Sequence, residues 1–294
     1  MPATASSRGR DPGPAARPGP GSLTWRCASD TRGVLVAPAA LLLQVAHPVV
    51  GAGVAAHSNF TAAPWARLFR TMRSVDRVVF GSDQVAAAEG RRLQRLHAGI
   101  RGVDPAGRPY HGLDPGAYAW VHLTLFQLFV DVQRVFGEPL TPSQQGTLYL
   151  EWRQVGRVLR VRDEYLPASW SDFRLHFDDT VARVLEANQA VDDVLTAVAH
   201  PRNPFPAVPA RVWDPVACRA GELSRLLSLG VLPPVLRQRL GIPWTTADQE
   251  RFARQAYRLR SVLAALPRPV VSIPPSMPYL LRARVVRTLG RVAA

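Results

Sequence analysis

Three times in this chain an aspartate or threonine is followed at once by proline and then by apolar residues at intervals of three and four: Asp114-Pro115, Thr141-Pro142 and Asp214-Pro215. The first side chain can accept from the free amides of a helix start, and proline brings a helical φ where its missing N–H costs nothing. Thr141 adds Gln144 three residues on, the spacing at which cap and third residue bond each other's backbone. The periodicity predicts helices over Ala39–Ala55, Pro64–Phe80, Asp83–Arg101, Pro115–Phe136, Pro142–Arg160, Trp170–Asn188, Val191–Ala199, Pro215–Leu229, Pro233–Leu240, Ala247–Ala265 and Pro278–Val292. Gly- and Pro-rich connections are expected at 104–114 and 200–212, and no strand pattern competes, so the expected fold class is all-α.

The chain has 294 residues, 47% of them hydrophobic, which is enough for one large core, and no shift in composition marks a second. Residues 23–294 read as a single globular domain of about ten helices. Residues 1–22, rich in Pro, Gly, Ala and Arg, read as a disordered leader without an apolar stretch of signal-peptide length. Cys27 and Cys218 lack CxxC spacing and read as packing residues, which with the leader makes the cytoplasm the expected compartment. Val34–Ala56 is long enough to span a bilayer, but Pro38, Gln44, His47, Pro48, Gly51 and Gly53 interrupt it. The reading is a buried helix pair broken at His47-Pro48, with no stable membrane insertion.

All 36 basic residues are arginine and the net charge is +14. They are scattered at helical intervals, without an arginine-rich arm or a basic stripe interleaved with aromatics, so no nucleic-acid partner is expected. A guanidinium, planar and permanently charged, serves equally well for carboxylates and phosphates. No P-loop, G-x-S-x-G or H-E-x-x-H occurs, which leaves phosphate-loop, serine-hydrolase and zinc-protease chemistry without a motif.

Of the seven histidines, His97 falls on an expected apolar stripe of Leu93, Leu96, His97 and Ile100, where a neutral imidazole can meet a metal or simply pack in the core. Arg67, Arg70 and Thr71, at i, i+3 and i+4, share one helix face that is either a solvated cationic surface or a binding site. His122 lies among Tyr118, Leu125, Phe126 and Phe129 on one face and is a rival ligand or a core residue. His47 and His57 flank the Pro-broken pair and, with Glu151, are lesser candidates. His111, His176 and His200 read as surface residues.

The run Leu41-Leu42-Leu43-Gln44-Val45-Ala46-His47-Pro48, then Gly53-Val54, His57-Ser58, Arg67-Leu68 with Arg70-Thr71, Phe80-Gly81, Leu96-His97 and Trp120-Val121-His122, resembles the MpaB-like oxygenase family, which includes the latex-clearing rubber oxygenases. Tyr149 with Glu151, Leu166-Pro167, Leu232-Pro233, Leu236-Arg237 and Gly241-Ile242-Pro243-Trp244 extend the likeness to roughly Trp25–Arg260. The resemblance implies an all-helical fold enclosing one haem b, with His97 as the iron ligand. It also implies Arg67 and Thr71 near the haem as catalytic and cofactor-binding groups, Arg70 beside them as a further catalytic group that neutralises propionates or poises bound oxygen, and His122, His47 and His57 as further pocket residues. Hydrophobic small-molecule substrate and dioxygen follow as partners. At the family's lysine position stands Arg70, which cannot offer iron a neutral amine, so the sixth coordination position is expected to be open or water-filled. Two other readings stay open: a non-catalytic binder of haem or an apolar ligand, and a haem-free enzyme with His47, His57, His97, His122 and Glu151 around non-haem iron.

Overall fold

A 22-residue helix, Pro115–Phe136, is mostly apolar, and fourteen of its residues are buried while only Arg134 is exposed. A helix without a solvated polar face has to run through a core rather than along a surface. The computed structural model describes residues 17–58, 64–203, 208–267 and 271, and among these there are twelve α-helices, eleven of them arranged around that central one. In chain order they are α1 Leu23–Ala28, α2 Ala37–Val45, α3 Pro48–His57, α4 Pro64–Phe80, α5 Asp83–Ala98, the central α6, α7 Pro142–Val158, α8 Trp170–Arg183, α9 Gln189–Ala199, α10 Ala210–Val231, α11 Pro234–Arg239 and α12 Thr246–Ala265. Short 3₁₀ turns lie at Thr31–Leu35 and Asp163–Tyr165. The fold is all-α apart from one antiparallel two-stranded ribbon, β1 Arg101–Val103 with β2 Pro109–His111.

Two of the three Pro-marked starts are where the sequence puts them. Asp114 accepts from the amide of Ala117, and Thr141 and Gln144 form the reciprocal capping box of α7. At the third, Pro215 lies inside α10, which begins a turn earlier at Ala210, and the amides of Val212 and Trp213 bond the Pro209 carbonyl instead. The ribbon was not expected, because three-residue strands carry no period to detect. Its turn is closed by the Asp104 carboxylate, which accepts from the amides of Ala106 and Arg108 around Gly107 at φ +80°. The expected helix Trp170–Asn188 stops at Arg183, and Asn188 caps α9 instead. The expected helix Pro278–Val292 and residues 1–16 of the leader lie outside the described residues. The end of the leader belongs to the fold, since the Arg17 guanidinium donates to the carbonyls of Val78 and Val79 at 2.6 and 3.1 Å.

The Pro-broken apolar segment is the pair α2–α3, bent by 102°. Among the described residues no single helix is long and apolar enough to cross a membrane. In α2, Ala39, Ala40, Leu42, Leu43 and Val45 are buried, and Trp120 of α6 donates its indole N–H to the Leu43 carbonyl at 2.8 Å. On the other side of α6, Trp152 of α7 donates to the His122 carbonyl at 2.9 Å, while the His122 ring meets the Trp152 carbonyl at 3.0 Å. Phe126, Tyr149, Phe173 and Phe177 fill the core between α6, α7 and α8 with edge and tilted ring contacts.

Helix α5 comes so close to α7 that a Cβ on Gly90 would stand 2.3 Å from the Val158 carbonyl oxygen, a backbone atom that cannot swing aside. We expect Gly90→Ala to destabilise the protein by about 1–3 kcal/mol through overpacking. A lower urea midpoint with an unchanged m-value would register this, and an unchanged midpoint would mean that the two helices separate at no cost.

A candidate cofactor and substrate cavity

Helices α2, α4 and α6 enclose a cavity of about 320 Å³, closed further by α9, α10 and the first 3₁₀ turn. Its walls are mainly apolar, with Leu41, Leu68, Met72, Val75, Leu125 and Phe129 among them. That volume and lining are those of a small-molecule pocket. The polar groups at the wall are few: Gln44, Arg67, Thr71, Asp30, Asp76 and Ser224 stand out from the carbon surface. Gln44 is held by a hydrogen bond from its amide nitrogen to the Thr124 hydroxyl at 3.0 Å, which ties α2 to α6 at the cavity.

Arg67 enters the wall because α4 is strongly two-faced, with Val75, Val78 and Val79 turned to the protein and Arg70 and Arg73 to solvent. Its guanidinium is partly buried and donates to the Ser58 hydroxyl at 3.0 Å. Burial, and then the neighbouring Arg70 charge, lower its pKa, although an arginine stays charged at any working pH. Thr71 lies at the exposed rim, its hydroxyl donating to the Arg67 carbonyl at 3.1 Å. Arg70 is exposed and is not part of the wall. Of the three residues grouped on one face by spacing, two therefore meet the cavity and one faces water.

His97 stands near the end of α5 with its Nδ1 2.7 Å from the Leu93 carbonyl oxygen. A carbonyl can only accept, so Nδ1 carries the proton and Nε2 keeps its lone pair. The ring packs edge-on against Tyr118 of α6, with centroids 5.4 Å apart. Burial lowers the His97 pKa, the Leu93 bond works against that, and the charges of Arg92 and Arg67 lower it further. The imidazole is thus neutral at pH 7, and Arg67 is the link between it and the cavity, whose wall it does not itself form. Of the stripe expected on α5, Leu96 is 55% exposed; Ala86, Glu89 and Gly90 take the buried positions instead.

The remaining histidines lie elsewhere. His122 is buried, stacked on Trp152 with rings 4.8 Å apart and 4° from parallel, and is not part of the cavity wall. His47 occupies the cap position of α3 with its Nδ1 buried and without a hydrogen bond among the described residues. Burial lowers its pKa, while Asp114 and Glu186 pull it back up. His57 is exposed, its Nε2 3.2 Å from the Tyr110 hydroxyl. Glu151 accepts from the amides of Thr24 and Leu23 and so caps α1. Among the described residues no group of three or more His, Cys, Asp or Glu side chains could hold a metal ion. Cys27 is buried, which pushes its thiol up to about 12, and Cys218 is exposed.

The family model described as ER-bound oxygenase mpaB/B'/rubber oxygenase, catalytic domain, matches residues 25–261. The chain belongs to that family. Uncharacterized proteins of Mycobacterium bovis and Mycobacterium tuberculosis are each 25% identical to it over 226 residues, which cover 74% of this chain and 84% of theirs. No solved structure matches the chain. The match spans every residue of the cavity wall. Sequence reading had passed over Asp76 and Trp65 of that wall and had quoted Gln44 only within a longer run. Gln44 and Asp76 carried a usable signal, each being a polar residue amid apolar neighbours at helical spacing.

Burial drives the His122 pKa down to about 4 from 6.5, partly offset by its bond to the Trp152 carbonyl. Between those values the unfolded chain takes up a proton that the folded chain refuses, so this contribution is complete above pH 6.5 and is lost as pH falls toward 4. The loss amounts to about 3 kcal/mol. His122→Phe is expected to flatten urea-derived stability over that range, leaving only the smaller slopes of the other buried histidines. An unaltered slope would place the titrating group elsewhere.

Proposed function

We propose that this chain is a haem-b-dependent oxygenase that uses dioxygen to attack a hydrophobic small molecule held in the cavity between α2, α4 and α6. Its family is one of oxygenase catalytic domains. The observation that carries the haem part of the reading is His97, whose Nδ1–H is fixed on the Leu93 carbonyl, so that Nε2 is left as a neutral donor beside a partly buried guanidinium. A histidine oriented through its second nitrogen is how proteins prepare an imidazole for iron. An imidazole just outside the cavity wall, a cation at that wall and an apolar cavity suit a porphyrin, which brings its own four nitrogens and its own carboxylates. They do not fit non-haem iron, which needs several protein ligands in one place.

When bound, haem supplies the redox chemistry with dioxygen. The chain's part is to hold the reactants and exclude water. Arg67 offers a charge-assisted partner to a propionate or another anion. Leu41, Leu68, Met72, Val75, Leu125 and Phe129 receive the substrate and keep the site dry. Gln44, fixed by Thr124, presents an amide to any polar end of the substrate. Arg70, exposed on the outer side of α4 and off the cavity wall, would take no part in holding the haem.

Protein produced with a haem precursor is expected to purify with a Soret band and one iron per chain. His97→Ala should lose most of that haem while keeping the helical circular dichroism of the parent, and the folded fraction of His122→Phe should load normally. Folded protein that carries no iron although haem precursor was supplied in excess would end this proposal. Loss of haem on replacing His122 but not His97 would reassign the ligand, and full loading without oxygen uptake on any apolar substrate would make the protein a binder rather than an oxygenase.

A further inference from the structure

The outward side of α4 has no role in the cavity, yet it carries the densest unbalanced charge of the helical hairpin it forms with α5. The register of the hairpin is set by Glu89, which is 1% exposed and accepts from Ser74 at 2.7 Å and from Arg92 at 2.6 and 3.0 Å, with Arg77 Nε 3.2 Å away. Because the two helices run antiparallel across the short Gly81-Ser82 turn, each turn back along α4 from Ser74 faces a turn forward along α5 from Glu89. One such step brings Arg70 level with Arg92 and Leu93, with Arg73 nearer Glu89 and with Arg95 and Leu96 up to a turn beyond.

Arg70, Arg73 and Arg95 are exposed and enter no ion pair among the described residues, whereas Arg77 and Arg92 share the single buried Glu89. Five arginines thus face one carboxylate along this seam. The arginines of α8 are matched within their own helix, Arg174 with Asp178 and Arg183 with Asp179, while α12 carries both the paired Arg254 and the unpaired Arg258 and Arg260. In the midst of the seam stands Leu96, 55% exposed. One turn of α4 away, Thr71 marks the exposed rim of the apolar cavity.

We propose that the α4–α5 seam is a docking face for an anionic lipid bilayer surface, which places the cavity rim against the membrane. The cationic rows match a negatively charged leaflet, and arginine gains there both from the field and from bidentate contact with headgroup phosphates. Leu96 provides an apolar contact at the interface that a phosphodiester backbone would not use, and among the exposed residues of the seam there is no aromatic side chain for a base to stack on. A ligand apolar enough for this cavity dissolves in a bilayer rather than in water, so a rim beside the membrane gives it a route that avoids the aqueous phase. The inference rests on the cavity and the charge pattern and is independent of haem.

Vesicle co-sedimentation of the full chain tests it, with phosphatidylglycerol–phosphatidylcholine vesicles against phosphatidylcholine alone and with duplex DNA as a separate arm. Binding is expected to the anionic vesicles only and to fade above about 0.5 M salt, where screening is strong. The triple variant Arg70→Gln, Arg73→Gln, Arg95→Gln should weaken it on the order of a hundredfold at low salt, at roughly one factor of five per arginine removed from the surface. The control removes the same charge from α10 and α12 with Arg219→Gln, Arg258→Gln and Arg260→Gln, all exposed and outside ion pairs, and should weaken binding by less than about tenfold. If the seam triple loses helical content, Arg95→Glu alone carries the same comparison. Equal loss in both triples would reduce the effect to net charge. Equal binding to neutral vesicles, no binding to either, or seam-dependent binding to DNA without vesicle binding would overturn the proposal.

Discussion

A helix buried on all sides must satisfy its polar side chains from within the protein, and that requirement on α6 governs the arrangement of everything around it. Trp152 and His122 answer it by exchanging hydrogen bonds with each other's backbone carbonyls while their rings stack. Trp120 answers it toward α2 through the Leu43 carbonyl, and Thr124 through the Gln44 amide. Each bond costs little to keep and much to break, because a buried group left without a partner forfeits its whole solvation. With α2 and α7 fixed to α6 in this way, Leu125 and Phe129 have a set distance from Leu41, and the space between them is an architectural product rather than a packing fault.

Helix α4 completes that space and is the part of the protein where charge and carbon are most sharply divided. Its outward side is held to α5 by Glu89, where burial favours the neutral acid but hydrogen bonds from Arg92 and Ser74 and the charges of Arg92 and Arg77 prevail, so the pKa falls below the usual carboxylate range. A charge kept at a buried position by three hydrogen bonds and the adjacent Arg77 charge fixes the rotation of α4 about its axis. That rotation decides that Arg67 meets the cavity and Arg70 does not, although the two are one turn apart. The same clamp sets α5, and so brings His97 within reach of the Arg67 charge.

Much of this could be read from the sequence because helix starts depend on local chemistry. Asp114 and Thr141 cap the helices that their neighbours announce, and the break at His47-Pro48 follows from the geometry of proline. Reading failed where distant parts of the chain decide the outcome. Pro209 and the Trp213 indole bond to Pro201 started α10 before its apparent cap at Asp214, and the ribbon at 101–111 is held by a single aspartate. On α5 the apolar pattern suggested that Leu96 was buried, but the buried positions Ala86, Glu89 and Gly90 all lie in the first half of the helix, and Leu96, two turns beyond Glu89, is exposed. The histidines show the limit most clearly. His97 and His122 both sit on apolar faces with one nitrogen on a backbone carbonyl, and what separates them is that the other nitrogen of His122 is buried in a core where the ring lies flat against the Trp152 indole.

Arg17 closes the C-terminal end of α4 by donating to the carbonyls of Val78, Val79 and Gly81, while Pro18 accepts the Trp25 indole N–H. A residue far from the cavity in sequence thereby serves as a plug for the dipole end of the helix that lines it. For anyone handling the protein, this sets a practical border. Fusion partners and cleavage sites belong upstream of residue 17, because trimming past it would strip three carbonyls of their partner and let the last turn of α4 fray, loosening the cavity from its far end.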